Sequence, residues 1–359
     1  MLIARGLLAE LQTHDPQSWP LLTAHDPRFG SLAFVVALLD FAESLYHRDL
    51  EVGEAAAAAA LAVLERRHLT GQPHPPALTL AARAWAVHAN ILRLQSRLRE
   101  AGVQLSRAWS WLKLAPWSPA VQAYVQEVQG CLECAQGKYE EALKTFRRAA
   151  FCYGLALDEA SRYRSMAHQA FCHGSAGRPE AAAAIFERLH ATLTPDQHPE
   201  RLRMAVVSNL AVEYTRLGRT WEARRLLPEL ERLMAEVGEP LSTVRLSWLR
   251  AMIHHQDGKP TKAEHYYRRV QAEFLKAGVP QDAALVSLDL AVLLLETDQP
   301  AKAAELATEI LPVFSDLGIP RETLAAGLVL LEALERQEAT IDGVRDLAQK
   351  IRTPAWSLG

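Results

Sequence analysis

Long hydrophobic runs, signal-peptide features and cysteines are all scarce in this chain of 359 residues. Apolar runs such as Leu32 to Leu39 fall well short of the roughly 18 residues that cross a bilayer. The segment from Met1 to Glu10 lacks the long apolar centre of a signal peptide. Four cysteines without framework spacing are typical of a reducing compartment. We therefore expect a cytoplasmic protein that does not engage a membrane.

Strand patterns and catalytic motifs are also missing. No valine-rich alternating run indicates a strand, and aromatic residues make up only 7% of a chain that is 49% hydrophobic. This composition is typical of a helical protein rich in Ala and Leu. The chain has no phosphate-binding Gly loop, no Gly-x-Ser-x-Gly elbow and no His pair around a Glu. We expect no enzymatic activity and no cofactor.

The cysteines are the one group that suggests a metal. Cys131 and Cys134 share a predicted helix face, whereas Cys152 and Cys172 fall on neighbouring helices. Four cysteines suit zinc, but cysteine is more often a small buried residue. We therefore expect no metal, and whether the cysteines do more than pack stays open.

Small residues recur in pairs, 12 positions apart across a turn, and the turns recur every 40 or 41 residues. Such a period indicates an array of similar supersecondary units. Ala or Gly at facing positions lets two antiparallel helices approach closely. The pairs are Ala89/Ala101, Gly130/Ala142, Ala170/Ala182, Ala211/Ala223, Ala251/Ala263 and Ala291/Ala303, and the turns lie at Ser96, Gly137, Gly177, Gly218, Gly258 and Asp298.

The segment from Gly130 to Ala149 resembles the tetratricopeptide repeat (TPR) family. The resemblance covers residues 77–316 and departs in length, because the usual repeat has about 34 residues. HEAT and armadillo arrays, whose period is closer to 40, are the second interpretation. Asp282 to Leu334 also resembles the closing repeats of uncharacterised bacterial TPR proteins. The matching residues are Gly130, Gly137, Tyr139, Ala142, Phe146 and Ala149.

The resemblance implies an all-α, right-handed superhelical solenoid of about seven antiparallel hairpins with terminal capping helices. Residues 1–76 would hold capping helices and a first atypical hairpin, with a helix over 2–12 and a polar, Pro-rich connection over 13–30. Residues 77–316 would form six TPR-like hairpins. Residues 317–359 would form capping helices, over 321–336 and 340–351, and a loose tail.

In a TPR array the first helix of each hairpin lines the concave groove, so the resemblance also implies where a protein or peptide ligand binds. Trp248 is the predicted hot spot, although Trp248 and Met252 can equally pack against a neighbouring hairpin. The predicted groove residues are Arg83, Asn90, Arg93, Arg164, Phe171, Asn209, Arg245, Trp248, Met252 and His255.

Charge is uneven along the chain, with a net +5 over residues 83–164 and −7 over residues 271–359. A nucleic-acid binder usually has a much stronger basic stripe, so we do not expect nucleic acid as a partner. Three functions stay open: a scaffold or adaptor that binds a partner in its groove, a peptide-sensing or signalling regulator of the bacterial TPR type, and a partner subunit of a protease or other enzyme. Oligomeric state is also open.

Overall fold

The structure, a computed structural model, describes residues 2–46, 48–69 and 74–306, and all regular secondary structure in these ranges is helical. None of the described helices is long and apolar enough to cross a bilayer. The α-helices are α1 (Leu2–Leu11), α2 (Trp19–His25), α3 (Leu32–Ser44), α4 (Leu50–Leu69), α5 (Pro75–Leu94), α6 (Leu98–Leu114), α7 (Pro119–Ala135), α8 (Tyr139–Leu155), α9 (Glu159–Ser175), α10 (Pro179–Thr192), α11 (Glu200–Arg216), α12 (Thr220–Val237), α13 (Ser242–Gln256), α14 (Pro260–Lys276) and α15 (Pro280–Glu296).

The helices form consecutive antiparallel hairpins, and the chain divides into two compact units. The first unit, Met1–Gln169, contains the hairpins α3–α4, α5–α6 and α7–α8, and the second begins at Ala170 and contains α11–α12 and α13–α14. Most helices of the array have 17 residues. The long repeat therefore comes from longer helices and adds no new element, which confirms the expected all-α architecture.

The turns inside the hairpins lie where the sequence pattern predicts them. All six predicted turn residues have a positive φ, between 56° at Asp298 and 75° at Gly177. In the turn at Gly137, Lys138 N–H donates to the Glu133 carbonyl at 2.8 Å and satisfies a carbonyl that the end of the helix leaves free. Glycine adopts this left-handed conformation without the steric clash of a Cβ, so four of the six positions are glycine.

The small-residue pairs are buried throughout, as close helix packing requires. Gly130 of α7 gives the clearest case. A Cβ added to Gly130 would lie 2.7 Å from Cε1 of Phe146 on α8, which is closer than two carbon atoms can approach. Phe146 is itself buried. The ring therefore occupies the space that a side chain at position 130 would need.

The polar, Pro-rich connection over residues 13–30 contains a further helix, α2, between two short 3-10 turns. Trp19 and Thr23 lie four residues apart on the buried face of α2, and Thr23 Oγ1 donates to the Ala59 carbonyl of α4 at 3.2 Å. Pro20 is tolerated because the first helical turn needs no N–H there. The alanine run of α4 forms a closely packed helix face, with Ala56 and Ala60 fully buried.

The remaining C-terminal predictions lie outside the described residues. The last described hairpin consists of α15 and a helical segment over residues 300–306. The predicted capping helices over 321–336 and 340–351, and the loose tail, fall beyond residue 306. They stay predictions.

Leu157 occupies a left-handed backbone position that Gly278 occupies after α14. After α8, Leu157 N–H donates to the Gly154 carbonyl and Asp158 N–H to the Tyr153 carbonyl. Gly278 has the same hydrogen-bond pattern after α14. Leu157 has a φ of 58°, and its side chain is 87% exposed. It therefore adopts a strained conformation without gaining buried contacts.

Replacing Gly130 by Ala should destabilise the protein by about 1–3 kcal/mol, because the new methyl group overpacks the contact with Phe146. Chemical denaturation with a helical circular dichroism signal measures the loss. Adding Phe146→Leu should recover part of it, since the smaller side chain leaves room for the methyl group. Equal stability of Gly130→Ala and the unchanged protein would contradict the packing argument.

Replacing Leu157 by Gly should stabilise the protein by about 0.5–1 kcal/mol, because relief of left-handed strain exceeds the extra entropy of glycine in the unfolded chain. The reciprocal control, Gly278→Leu, should destabilise it. Both variants are compared by thermal unfolding. A lower melting temperature for Leu157→Gly would show that the exposed side chain makes a stabilising contact.

Candidate partner-binding site

The first helices of successive hairpins in the first unit converge on one polar cluster. Helices α5 and α7 pack side by side, and side chains spaced by three, four or seven residues on each helix point to the same side. We call this group the first-unit cluster. It consists of Tyr46, Asn90, Arg93, Tyr124, Glu127, Tyr153, Arg164 and His168.

Glu127 is the centre of the first-unit cluster. Arg164 donates to both of its carboxylate oxygens, from Nε at 2.7 Å and from a terminal nitrogen at 2.9 Å. Tyr153 donates a third hydrogen bond at 2.5 Å, and His168 Nε2 lies 3.5 Å away. Burial alone would raise the pKa of Glu127, but the Arg164 charge and the hydrogen bonds hold it far below its usual range. The carboxylate is therefore ionised and held in place.

His168 is held neutral by its surroundings. Burial is the largest influence on its pKa and lowers it, and the positive charges of Arg164 and Arg93 lower it further, so that the opposing effect of the Glu127 carboxylate does not reverse the shift. The imidazole stacks on Phe146 with ring centroids 4.9 Å apart. The ring is therefore a packing surface whose polar edge faces Glu127.

A second part of the first-unit cluster joins Tyr46, Tyr124 and Asn90. The two tyrosine hydroxyls lie 2.7 Å apart, and Asn90 is within hydrogen-bonding reach of Tyr46. Burial raises the pKa of both tyrosines. Asn90 Oδ1 also accepts from Arg93 Nε at 3.0 Å. The amide thus bridges the buried tyrosines and the half-buried arginine.

Arg93 differs from the other arginines of this region. Arg83 pairs with Asp40 at 2.7 Å and with Glu43 at 2.8 Å, and Arg164 pairs with Glu127. Among the described residues, Arg93 has a hydrogen bond to the neutral Asn90 amide and no carboxylate partner. Its terminal guanidinium nitrogens keep their donor capacity. The cluster can therefore accept an anionic group at this point.

Cys131 lies next to Arg93 but is not a reactive thiolate. Burial raises the pKa of its thiol to about 12, although the Arg93 charge opposes this shift. All four cysteines are free thiols. Within the ranges that the structure describes, no group of three or more His, Cys, Asp or Glu residues is placed to hold a metal.

In the second unit, several predicted groove residues are used by the fold itself. Trp248 is only 4% exposed, lies in the apolar core and donates from Nε1 to Asp289 at 2.8 Å. Asn209 is equally buried and donates to the Ala205 carbonyl of its own helix. Of the two interpretations of Trp248, packing against a neighbouring hairpin is the one that this structure favours, because a buried indole offers little surface to a partner.

The other predicted groove residues of the second unit are only partly accessible. Arg245 reaches Asp282 at 3.4 Å, and His255 Nε2 lies 2.7 Å from Glu296. Met252 packs partly buried between apolar clusters, and Phe171 is half-buried. Burial raises the pKa of Asp282 despite Arg245. These residues are occupied by internal contacts, so the first unit offers the better site.

Sequence reasoning missed the residues that hold the site together. Glu127 and Tyr124 lie on α7, the first helix of its hairpin, but a carboxylate alone gives no sign that it organises a cluster. His168 lies four residues after Arg164 and therefore on the same helix face. Tyr46 and Tyr153 lie outside the repeat register of first helices, and only the fold brings them to the cluster.

No protein-family model matches the chain, and no curated protein matches its sequence. Among solved structures, a Rap protein complexed with Competence and Sporulation Factor is similar with a TM-score of 0.65 and 14% identity, over 88% of this chain and 91% of that one. NprR complexed with its cognate peptide NprX is similar with a TM-score of 0.62 and 13% identity, over 90% of each chain. The apo form of the quorum sensor NprR from B. thuringiensis is similar with a TM-score of 0.55 and 14% identity, over 86% of this chain and 84% of that one. These likenesses show that the fold is of the TPR type.

Replacing Glu127 by Gln should destabilise the protein at neutral pH by about 3 kcal/mol, because the change leaves the Arg164 charge uncompensated. The folded pKa of Glu127 lies below the unfolded value of about 4.3, so the carboxylate stabilises the fold above that value. Its contribution is lost as the pH falls toward the folded pKa. The difference in free energy of unfolding between Glu127→Gln and the unchanged protein should therefore become smaller below about pH 4.

Urea unfolding at several pH values measures this difference. Glu159→Gln is the matched control, since Glu159 forms an exposed pair with Arg162 whose loss should change stability by less than about 1 kcal/mol. A difference between Glu127→Gln and the unchanged protein that is constant from pH 7 to pH 3 would contradict the assigned ionisation.

Proposed function

We propose that this chain is a non-enzymatic, TPR-type scaffold that binds a peptide segment of a partner on the first-helix side of its first unit. The observation that supports this proposal is the first-unit cluster. Four helical segments supply polar side chains to one place, and internal contacts fix all of them except the terminal nitrogens of Arg93. Preorganised polar groups of this kind reduce the ordering that binding requires.

The proposed ligand carries a carboxylate that pairs with Arg93. Arg93 is half-buried, so a carboxylate there meets a partly desolvated cation and a hydrogen bond of higher strength than at an exposed site. Asn90 holds Nε of Arg93 and leaves the planar terminal nitrogens for the ligand. A peptide supplies such a group from an Asp, a Glu or its C-terminus.

A peptide-sensing regulator is the more specific second candidate. The observation that favours it is that Rap and NprR, the similar structures at TM-scores of 0.65 and 0.62, were each solved with a bound peptide or factor. Sensing differs from scaffolding in that the ligand must change the protein beyond the contact residues. The two candidates therefore predict different effects of the same peptide.

Selection from a library of random eight-residue peptides tests the proposal. The full chain should enrich peptides with a carboxylate at a fixed position, and Arg93→Gln should weaken their binding tenfold or more, because a hydrogen bond to a charged group contributes about 1.5–3 kcal/mol. Arg99→Gln, at an exposed site on α6, is the control and should bind normally. Absence of enrichment, or equal binding by Arg93→Gln, would contradict the site.

Hydrogen exchange with the selected peptide separates the scaffold from the sensor. A scaffold should gain protection only in the segments that supply the cluster, chiefly α5, α7 and α9. A sensor should also change exchange in helices that do not contact the peptide.

A further inference from the structure

One edge of the first unit exposes a concentration of large apolar side chains. Among the described residues, nine large hydrophobic side chains are exposed, and five of them lie at this edge with exposures between 49% and 87%. Scattered single exposures are normal, whereas a concentration marks an interaction surface. We call these residues the edge patch: Leu114, Trp117, Phe151, Leu155 and Leu157.

The hairpin topology brings the edge patch together. Helices α6 and α8 are the second helices of consecutive hairpins, and their first helices, α5 and α7, pack side by side. The C-terminal ends of α6 and α8 therefore lie at the same end of their hairpins. Leu114 ends α6 and Trp117 lies in its connection to α7. Phe151 and Leu155 occupy the last turns of α8, and Leu157 lies in the turn after it.

Two members of the edge patch are held in an exposed position. Trp117 Nε1 donates to Gln122 Oε1 at 2.9 Å, which orients the indole while the ring stays 69% exposed. Leu157 keeps a left-handed backbone in a turn whose hydrogen-bond pattern Gly278 repeats elsewhere. The chain therefore presents a bulky apolar side chain where the turn favours glycine.

Unpaired positive charges adjoin the edge patch on α8. Lys144 and Arg148 lie four residues apart and continue the face that carries Phe151 and Leu155, and Arg147 lies four residues before Phe151. All three are exposed, and none forms an ion pair among the described residues. The outer face of α8 thus changes from cationic to apolar toward its C-terminal end.

We propose that the edge patch and the cationic stretch of α8 bind an amphipathic α-helix of a partner protein, with an apolar face and acidic side chains toward one end. The distance along α8 from Lys144 to Leu155 is about 16 Å, or three helical turns. A partner helix of three to four turns laid along α8 meets both the charges and the apolar side chains. Helix-in-groove recognition of this kind uses anchors at i, i+3, i+4 and i+7.

A membrane surface is the competing partner for an apolar and cationic face. Arg147 and Arg148 lie within about 6 Å of Phe151 along the helix axis, near enough to serve either partner, so the comparison with vesicles decides between them. The proposed helix site is also separate from the peptide site. It uses outward side chains of α6 and α8 and none of the first-unit cluster.

The test is selection of 16-residue helical peptides, displayed with randomised anchor and flanking positions, against the full chain. The selected peptides should carry apolar anchors and acidic residues toward one end. The double variant Phe151→Ser/Leu155→Ser should bind the selected peptides at least tenfold more weakly. The double variant Arg147→Gln/Arg148→Gln should also bind them more weakly, and its binding should depend less on salt concentration. Trp221→Ser is the matched control, since this exposed tryptophan lies in the second unit, and it should bind normally.

Helical content and melting temperature of each variant confirm that it is folded before binding is measured. Failure to select any peptide would overturn the proposal, as would selected peptides that lack acidic residues or bind the Phe151/Leu155 variant normally. Vesicles of phosphatidylcholine and phosphatidylserine at a molar ratio of seven to three provide the membrane comparison. Binding to them that depends on Phe151 and Leu155 would assign the edge patch to a lipid surface instead.

Discussion

The close approach of two helix backbones at small residues is the contact on which each hairpin depends. At Gly130 the Phe146 ring fills the volume that a methyl group would need, and the alanines of the other pairs are buried in the same way. A larger side chain would separate the helices and open the core on both sides of the contact. The turn then has to reverse the chain within a few residues, which is why the left-handed conformation recurs at all six turns.

Tight packing also determines what polar groups on the first helices can do. A charge that loses water must find a partner, because an isolated buried charge is strongly unfavourable. Glu127 meets this condition with Arg164, Tyr153 and His168, and Arg83 meets it with Asp40 and Glu43. A network of this kind adds little net stability over an apolar core. Its role is better understood as fixing directions of side chains at a surface.

The repeat pattern predicts the fold much better than the site. Period and small-residue spacing depend on local geometry, so the turns at Ser96 and Asp298 are found although neither is glycine. Helix α2 is missed because its apolar face is short and is completed only by contact with α4. The sequence leaves Trp248 undecided between groove and core, because register gives the direction of a side chain but not its depth, and depth depends on the neighbouring helices. The pairing of Glu127 with Tyr153 and Arg164 joins three helices, which no single periodicity encodes.

The most informative residues of this array are those whose backbone conformation, burial or charge pairing differs from that of equivalent residues. Local geometry, packing and charge pairing agree along most of the array, and sites that depart from this agreement are where function is expected. Arg93 departs by lacking an acidic partner among the described residues while its neighbours Arg83 and Arg164 have one. Leu157 departs by placing an exposed apolar side chain in a turn whose equivalent uses Gly278. Arg93 therefore offers hydrogen-bond donors to a ligand, and Leu157 offers exposed apolar surface. These are different chemistries on different helices, so they point to two distinct ligands rather than to one.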